Sequence, residues 1–241
     1  MRIPKIKKRT SPIEKTITTI DINKYELPEI TYNPDVDFED SKSVEHYVKA
    51  CKMIIRNSKE YKELMSFLKS KMNMDTCFFL PNVKKRKGSK VSIEIHHTGF
   101  VMEDIIKTVL YDLYDNDENY DCQSVAEKVM YYHYKGFISL TALSSTAHQL
   151  IHEPDSMLFI PLGMEDFGDI NLFFEEFIDT IKRHLPDLYK KFESYKMLSE
   201  TVNNIEEIIP EYMDVNIIYY NCEGIDIPTM DKVLDILSEK E

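Results

Sequence analysis

The sequence predicts an α+β protein in which a small β-structure is surrounded by helices. Apolar and polar residues alternate in the segment that ends at Ile93-Glu94-Ile95-His96-His97, and this period of two is typical of a strand. Most other apolar residues recur at the three- and four-residue spacing of amphipathic helices. With 241 residues and 43% hydrophobic content, the chain can bury a sizeable core, which indicates one main domain with additions or two small ones.

The chain begins with a predicted extended arm, residues 1–40. This segment starts basic, ends acidic and shows little sustained periodicity, which is typical of an arm that does not pack as a unit. Its short apolar pieces can dock on a partner. Residues 41–73 then predict a helical hairpin, because two apolar stripes flank Ser58, a residue type that caps helix N-termini.

Residues 74–155 predict the central α+β unit. The apolar segment 77–80 and the strand that leads to His96 predict a β-hairpin. A helical insertion follows at residues 100–136, and Ser124 is the predicted cap of its second helix.

The rest of the chain adds a strand and a helix-rich C-terminal region. An apolar strand is predicted at 137–143, and it leads into the next helix. Residues 156–241 are predicted to be mainly helical, with long helices at about 170–184 and 186–204. A further strand at 215–220 precedes a last predicted helix.

Four of the seven histidines fall in two short clusters. His96 and His97 end the predicted strand and point to opposite sides of it. His148 and His152 are four residues apart on a predicted helix, so their rings can meet at a single ion. One strand-end imidazole facing two helical ones gives three ligands with coordination left open, which is the pattern of a catalytic metal site. Such a site can hold zinc or another divalent ion.

These residues resemble the His-Asn-His (HNH) endonucleases over roughly residues 75–155. The motif consists of Glu94-Ile95-His96-His97, a later apolar strand and Leu143-x4-His148-x3-His152. The resemblance implies a ββα-metal core in which His96, His148 and His152 bind the ion and His97 is the general base. It also implies metal-dependent hydrolysis of DNA phosphodiester bonds, with zinc, magnesium, manganese or nickel as the ion.

Two features depart from the family pattern. The family's middle asparagine, which buttresses the loop of the histidine pair, corresponds to Ser139, and this change bears on catalysis more than on the fold. About forty residues separate the two histidine clusters, so we expect the insertion to fold separately. Glu94 lies two residues before His96 and is placed to orient a ligand imidazole. The candidate catalytic residues are therefore His97, Glu94 and Ser139.

A basic cluster precedes the first histidine pair. It places five positive charges in seven residues, and these can contact DNA or form a solvated turn. A formal net charge of -12 opposes nonspecific attraction to nucleic acid, so any DNA contact must depend on this local patch. The cluster comprises Lys84, Lys85, Arg86, Lys87 and Lys90.

Three functions follow from these features. The first is an HNH-like endonuclease that acts on DNA in the host cytoplasm. The alternative is a phage virion protein, because the Lys, Ile, Asn and Tyr richness and the extended arm resemble proteins of large phages. In that interpretation a nuclease-like fold with weak or no activity serves as a head-to-tail connector, ring or packaging adaptor. The arm then contacts packaging or portal proteins, within a homo-oligomer or a clamp. The third is a metal-free regulatory binding module.

Other classes are disfavoured by missing motifs. The six glycines form no Gly-x-Gly, and no Gly-Lys-Ser/Thr occurs, so nucleotide-hydrolysing and Rossmann folds are poor interpretations. No run of eighteen apolar residues is present, and we expect no membrane partner. The four cysteines include no Cys-x-x-Cys pair, which excludes a zinc ribbon.

Overall fold

The structure is a computed structural model that describes residues 34–80, 83–85, 91–153, 158–203 and 208. Most of the predicted arm therefore lies outside the described residues, as do the strand predicted at 215–220 and the last helix. Within the described ranges the chain forms eight helices and two strands. This confirms an α+β protein that is mostly helical, whereas an HNH core remains a prediction.

The first two helices lie inside the range 41–73 that predicts a helical hairpin. Helix α1 spans Ser41–Asn57, and helix α2 spans Lys59–Lys71. The predicted cap at Ser58 is present, since its hydroxyl accepts a hydrogen bond from the backbone N–H of Tyr61 at 3.1 Å.

Two helices fill the insertion. Helix α3 spans Met102–Asp115 and helix α4 spans Cys122–Tyr134. The predicted cap of α4 was wrong by one turn, because the carboxylate of Asp121 accepts the hydrogen bond from the N–H of Ser124 at 2.8 Å. Both helices contact α1 and each other, and their apolar faces belong to the same core. The insertion therefore does not fold separately, because its apolar surface is buried against the N-terminal hairpin.

The sheet has two antiparallel strands. Strand β1 spans Ile93–His97 and pairs with β2, which spans Leu140–Ser144. The predicted hairpin with segment 77–80 was wrong. That segment turns back on itself, since the N–H of Cys77 donates to the carbonyl of Val83 at 2.8 Å, and only Phe78 donates to β2. Local bonds thus occupy the backbone groups that a ladder with β1 requires.

Helix α5 follows β2 without a loop. It spans Ser145–Leu150, and Ser144 caps it by accepting a hydrogen bond from Ala147. Because β2 pairs with β1, this direct connection places α5 beside the end of β1 that carries Ile93 and Glu94. The order of strand, strand and helix brings the two histidine clusters together although they lie far apart in the sequence.

The C-terminal helices cover the other side of the core. Helices α6 and α7 span Ile170–Glu176 and Ile178–His184, so the single helix predicted at 170–184 breaks at Phe177. Helix α8 spans Pro186–Thr201, with proline at the first helical position as expected. Among the helices of the described ranges, none has both the length and the apolar character needed to cross a bilayer.

Candidate metal centre

Three histidines converge as the sequence predicts. His96 comes from β1, His148 from α5, and His152 from the turn directly after α5. Each ring offers one nitrogen, and these nitrogens all lie within 4.8 Å of one another. The ring centroids are 5.2 Å apart for His96 and His148, 5.2 Å for His96 and His152, and 4.9 Å for His148 and His152.

The spacing of the nitrogens is close to what a metal ion requires. Ligand nitrogens at 2.0–2.1 Å from a tetrahedral ion are about 3.4 Å apart. The set leaves at least one coordination position for an exogenous ligand.

Glu94 orients one of the three rings. Its Oε2 lies 2.9 Å from Nδ1 of His148, and its Oε1 accepts a hydrogen bond from the hydroxyl of Ser145 at 3.0 Å. A carboxylate beside Nδ1 fixes the proton there, which leaves the lone pair of Nε2 for the ion. Glu94 is therefore placed to orient the ring of His148, and its role beside a metal ligand stays a prediction.

The protonation states suit metal binding. Burial, with smaller contributions from His148 and His152, lowers the pKa of His96 to about 3. Burial also lowers the pKa of His148, against the opposing effect of Glu94. Both rings are therefore neutral at pH 7 and can donate a lone pair.

The three histidines line a cleft of about 690 Å³. The opposite wall carries Lys52 and Arg56 from α1 and Tyr61 from α2. The first turn of α3 contributes Glu103, which forms an ion pair with Lys52. The sequence alone does not indicate these wall residues, because nothing in the apolar pattern of α1 shows that its polar face turns toward the histidines.

His97 lies in a different environment from His96. Its Nε2 is 3.0 Å from Nε2 of His133, while Nδ1 of His133 lies 2.8 Å from the carbonyl of Val129. A carbonyl only accepts, so His133 carries its proton on Nδ1, and His97 must then donate from Nε2. Burial is the main cause that holds the pKa of His97 well below its usual value, and the neighbouring His133 adds to it. The general-base role of His97 stays a prediction, and this fixed tautomer does not favour it.

Ser139 stabilises the loop after the histidine pair through its main chain. Its carbonyl accepts a hydrogen bond from the N–H of Thr98 at 2.9 Å. Its fully buried hydroxyl donates to Glu165 at 3.0 Å and accepts from the N–H of Ile170 at 2.8 Å. Because the side chain turns to the C-terminal helices rather than into the cleft, the arrangement supports a structural role.

The structure describes only part of the basic cluster. Lys84 pairs with Asp75 at 3.1 Å and Lys85 is exposed, while Arg86, Lys87 and Lys90 lie outside the described residues. Neither described lysine lines the cleft. Their contact with DNA stays a prediction.

Comparison with known proteins gives one match. Residues 1–221 match the family described as "Bacteriophage G278-like virion protein". No curated protein and no solved structure matches the chain. None of these findings supports the predicted membership in the HNH endonucleases.

Proposed function

Because the chain belongs to the bacteriophage G278-like virion protein family, we propose that it is a structural protein of the phage particle that acts at the head-to-tail connector or as a packaging adaptor. The observation that carries this proposal is the extent of the match, residues 1–221, which includes the predicted arm as well as the described core. An arm that precedes a packed core suits a subunit that holds its neighbours in an oligomeric ring.

The net charge of the protein favours contact with other proteins over extensive binding along DNA. A formal net charge of -12 repels the phosphate backbone at long range. The acidic net charge and the predicted arm favour protein neighbours, such as portal or packaging subunits, as partners.

Quantitative mass spectrometry of purified particles tests this function. We expect a constant copy number per particle after density-gradient purification and protease treatment, and crosslinks from the arm to portal or neck subunits. A host protein of similar abundance serves as the contamination control. If the copy number of the chain falls during purification in parallel with that of the host protein, the proposal is contradicted.

We also propose that His96, His148 and His152 bind a divalent ion in this protein. Three imidazole nitrogens favour zinc or nickel over magnesium and manganese, which prefer oxygen ligands. The orientation of His148 by Glu94 supports this assignment, because a ligand imidazole commonly donates its second N–H to a carboxylate.

A metal-dependent endonuclease is the second candidate, and the same histidine cluster favours it. An ion bound there stabilises charge on a leaving oxygen, and His97 or another base must take a proton from water. A supercoiled-plasmid assay with added zinc, nickel, magnesium or manganese tests the activity. Nicking that is lost in His96→Ala and kept in the exposed-residue control His46→Ala supports it, and absence of nicking with every ion removes it.

A further inference from the structure

The charged side chains that line the cleft differ in whether they have a bonding partner. Both carboxylates are engaged, since Glu94 bonds to His148 and Ser145, and Glu103 pairs with Lys52. Arg56 is different. It forms no ion pair with any residue that the structure describes, although it lines the cleft.

Arg56 shares the cleft with the three histidines. This residue lies in the last turn of α1 and is exposed. Its guanidinium and an ion bound to the histidines would place two positive groups in one cleft, where a single ligand can contact both.

An ion held by three neutral histidines leaves this site with excess positive charge. The ion brings two positive charges and Arg56 a third. Lys52 and Glu103 offset each other, and Glu94, which lies beside the neutral His148, offsets one of the three, so an excess of positive charge remains. An anion can bind the ion at its open coordination position and accept hydrogen bonds from the guanidinium, so that one ligand interacts with both positive groups. Phosphate suits this best, because its oxygens can bind a metal and accept two parallel hydrogen bonds from arginine at once.

We propose that the cleft binds a small phosphorylated molecule whose terminal phosphate bridges the metal ion and Arg56. The cleft volume of about 690 Å³ lies within the range of small-molecule sites, about 300–1,000 Å³. The net charge of -12 repels a long polyanion far more than a mononucleotide, so a small ligand is favoured over nucleic acid. This inference rests on the proposed metal site and does not depend on the position of the protein in the particle.

The first experiment measures the metal alone. The full chain is freed of metal with a chelator and titrated with Co²⁺, whose visible absorption reports coordination by nitrogen. We expect one ion per chain, with absorption that is lost in His148→Ala. If no metal binds, both the metal centre and this inference fail.

The second experiment adds phosphate to the Co²⁺-loaded protein. Inorganic phosphate and thymidine 5′-monophosphate are titrated by calorimetry, and the absorption is recorded in parallel. We expect a changed Co²⁺ spectrum and binding that disappears in the metal-free protein. If the metal binds and neither probe does, the inference fails while the metal centre stands.

Variants of the cleft wall test the part played by Arg56. Arg56→Gln removes hydrogen bonds to a charged group and should weaken phosphate binding about 10- to 100-fold. The affinity of Arg56→Lys should lie between those of the parent protein and Arg56→Gln. The matched control is Lys59→Gln, because Lys59 is an exposed cation nearby that does not line the cleft. Equal affinity in Arg56→Gln and Lys59→Gln would overturn the inference, as would tighter binding of an oligothymidylate that lacks a terminal phosphate.

Discussion

Nε2 of His97 lies 3.0 Å from Nε2 of His133, in a buried contact that joins β1 to α4. The two rings are held in complementary tautomers, and a proton added to Nε2 of His133 would face the N–H that His97 donates. The neighbouring ring, His96, lies against His148 and His152 instead. Strand β1 thus contacts the insertion through His97 and contributes the preceding residue, His96, to the candidate metal centre.

This contact predicts loss of stability in acid. Burial lowers the pKa of His133 to about 4, whereas the unfolded chain has an ordinary histidine pKa near 6.5. The unfolded state therefore binds more protons below pH 6.5, and the free energy of unfolding falls as pH decreases from about 6.5 toward 4. Urea unfolding at pH 8, 6 and 5 measures this change, with a slope of up to about 1.4 kcal/mol per pH unit from this group.

The variant His133→Gln isolates the contribution of that ring. It should lower the free energy of unfolding at pH 8, because a hydrogen bond to His97 changes, and it should reduce the pH slope below pH 6.5. His46→Gln is the control, since His46 is exposed. A slope in His133→Gln as steep as in the parent protein would contradict the prediction.

Metal binding should stabilise the folded protein. An ion that binds only the folded state adds about 2.7 kcal/mol at a concentration one hundred times the dissociation constant. We expect zinc to raise the melting temperature and a chelator to reverse the rise. The single variants His96→Ala, His148→Ala and His152→Ala should each abolish the zinc-dependent shift.

The control for that experiment is His46→Ala, which removes a histidine outside the cluster and so leaves the same total number of histidines as each cluster variant. It should retain the full zinc-dependent shift. A shift that persists in all three cluster variants would show that zinc binds elsewhere on the chain.

Glu94→Gln should weaken metal binding without removing a ligand. The carboxylate fixes the proton of His148 on Nδ1, and loss of such a partner commonly costs 10- to 100-fold in affinity. Competition with a chromophoric chelator measures the affinity. Glu45→Gln, on the exposed face of α1, is the matched control, and equal affinities in the two variants would refute a positioning role.

Local sequence signals predicted most of the helices and the convergence of three histidines. The cap at Ser58 and the spacing of His148 and His152 depend on residues within one or two turns of each other. These predictions hold in the folded protein because the residues that form each pattern are also the residues that contact one another.

Contacts that depend on distant residues could not be predicted in the same way. Segment 77–80 and β2 are both largely apolar, so periodicity alone does not decide which one pairs with β1. The contact of His97 with His133 depends on how β1 packs on the insertion, and the approach of Arg56 to the cleft depends on how α1 packs on it. The family, in turn, is shown by the match over residues 1–221 and not by the histidine motif.

Gly168 links the C-terminal helices to the strand that precedes the metal centre. It has a φ of +77°, and a Cβ there would lie 2.1 Å from the carbonyl oxygen of Ile138, which no real contact permits. Gly168→Ala must therefore displace the backbone next to Ser139, whose carbonyl stabilises the loop after His97. We expect a loss of stability well beyond the conformational cost of about 1–2 kcal/mol for a left-handed alanine.

Gly163→Ala measures that conformational cost by itself. Gly163 has a φ of +87° and nothing within 4 Å of the position of a Cβ, so only the strain of the backbone changes. Thermal and urea unfolding should show that the parent protein is more stable than Gly163→Ala, and that Gly163→Ala is more stable than Gly168→Ala. The zinc-dependent shift should weaken only in Gly168→Ala, because only that displacement reaches β2 and the loop beside the histidines. Equal losses in the two variants would mean that the close approach at Ile138 relaxes freely and does not hold the site in place.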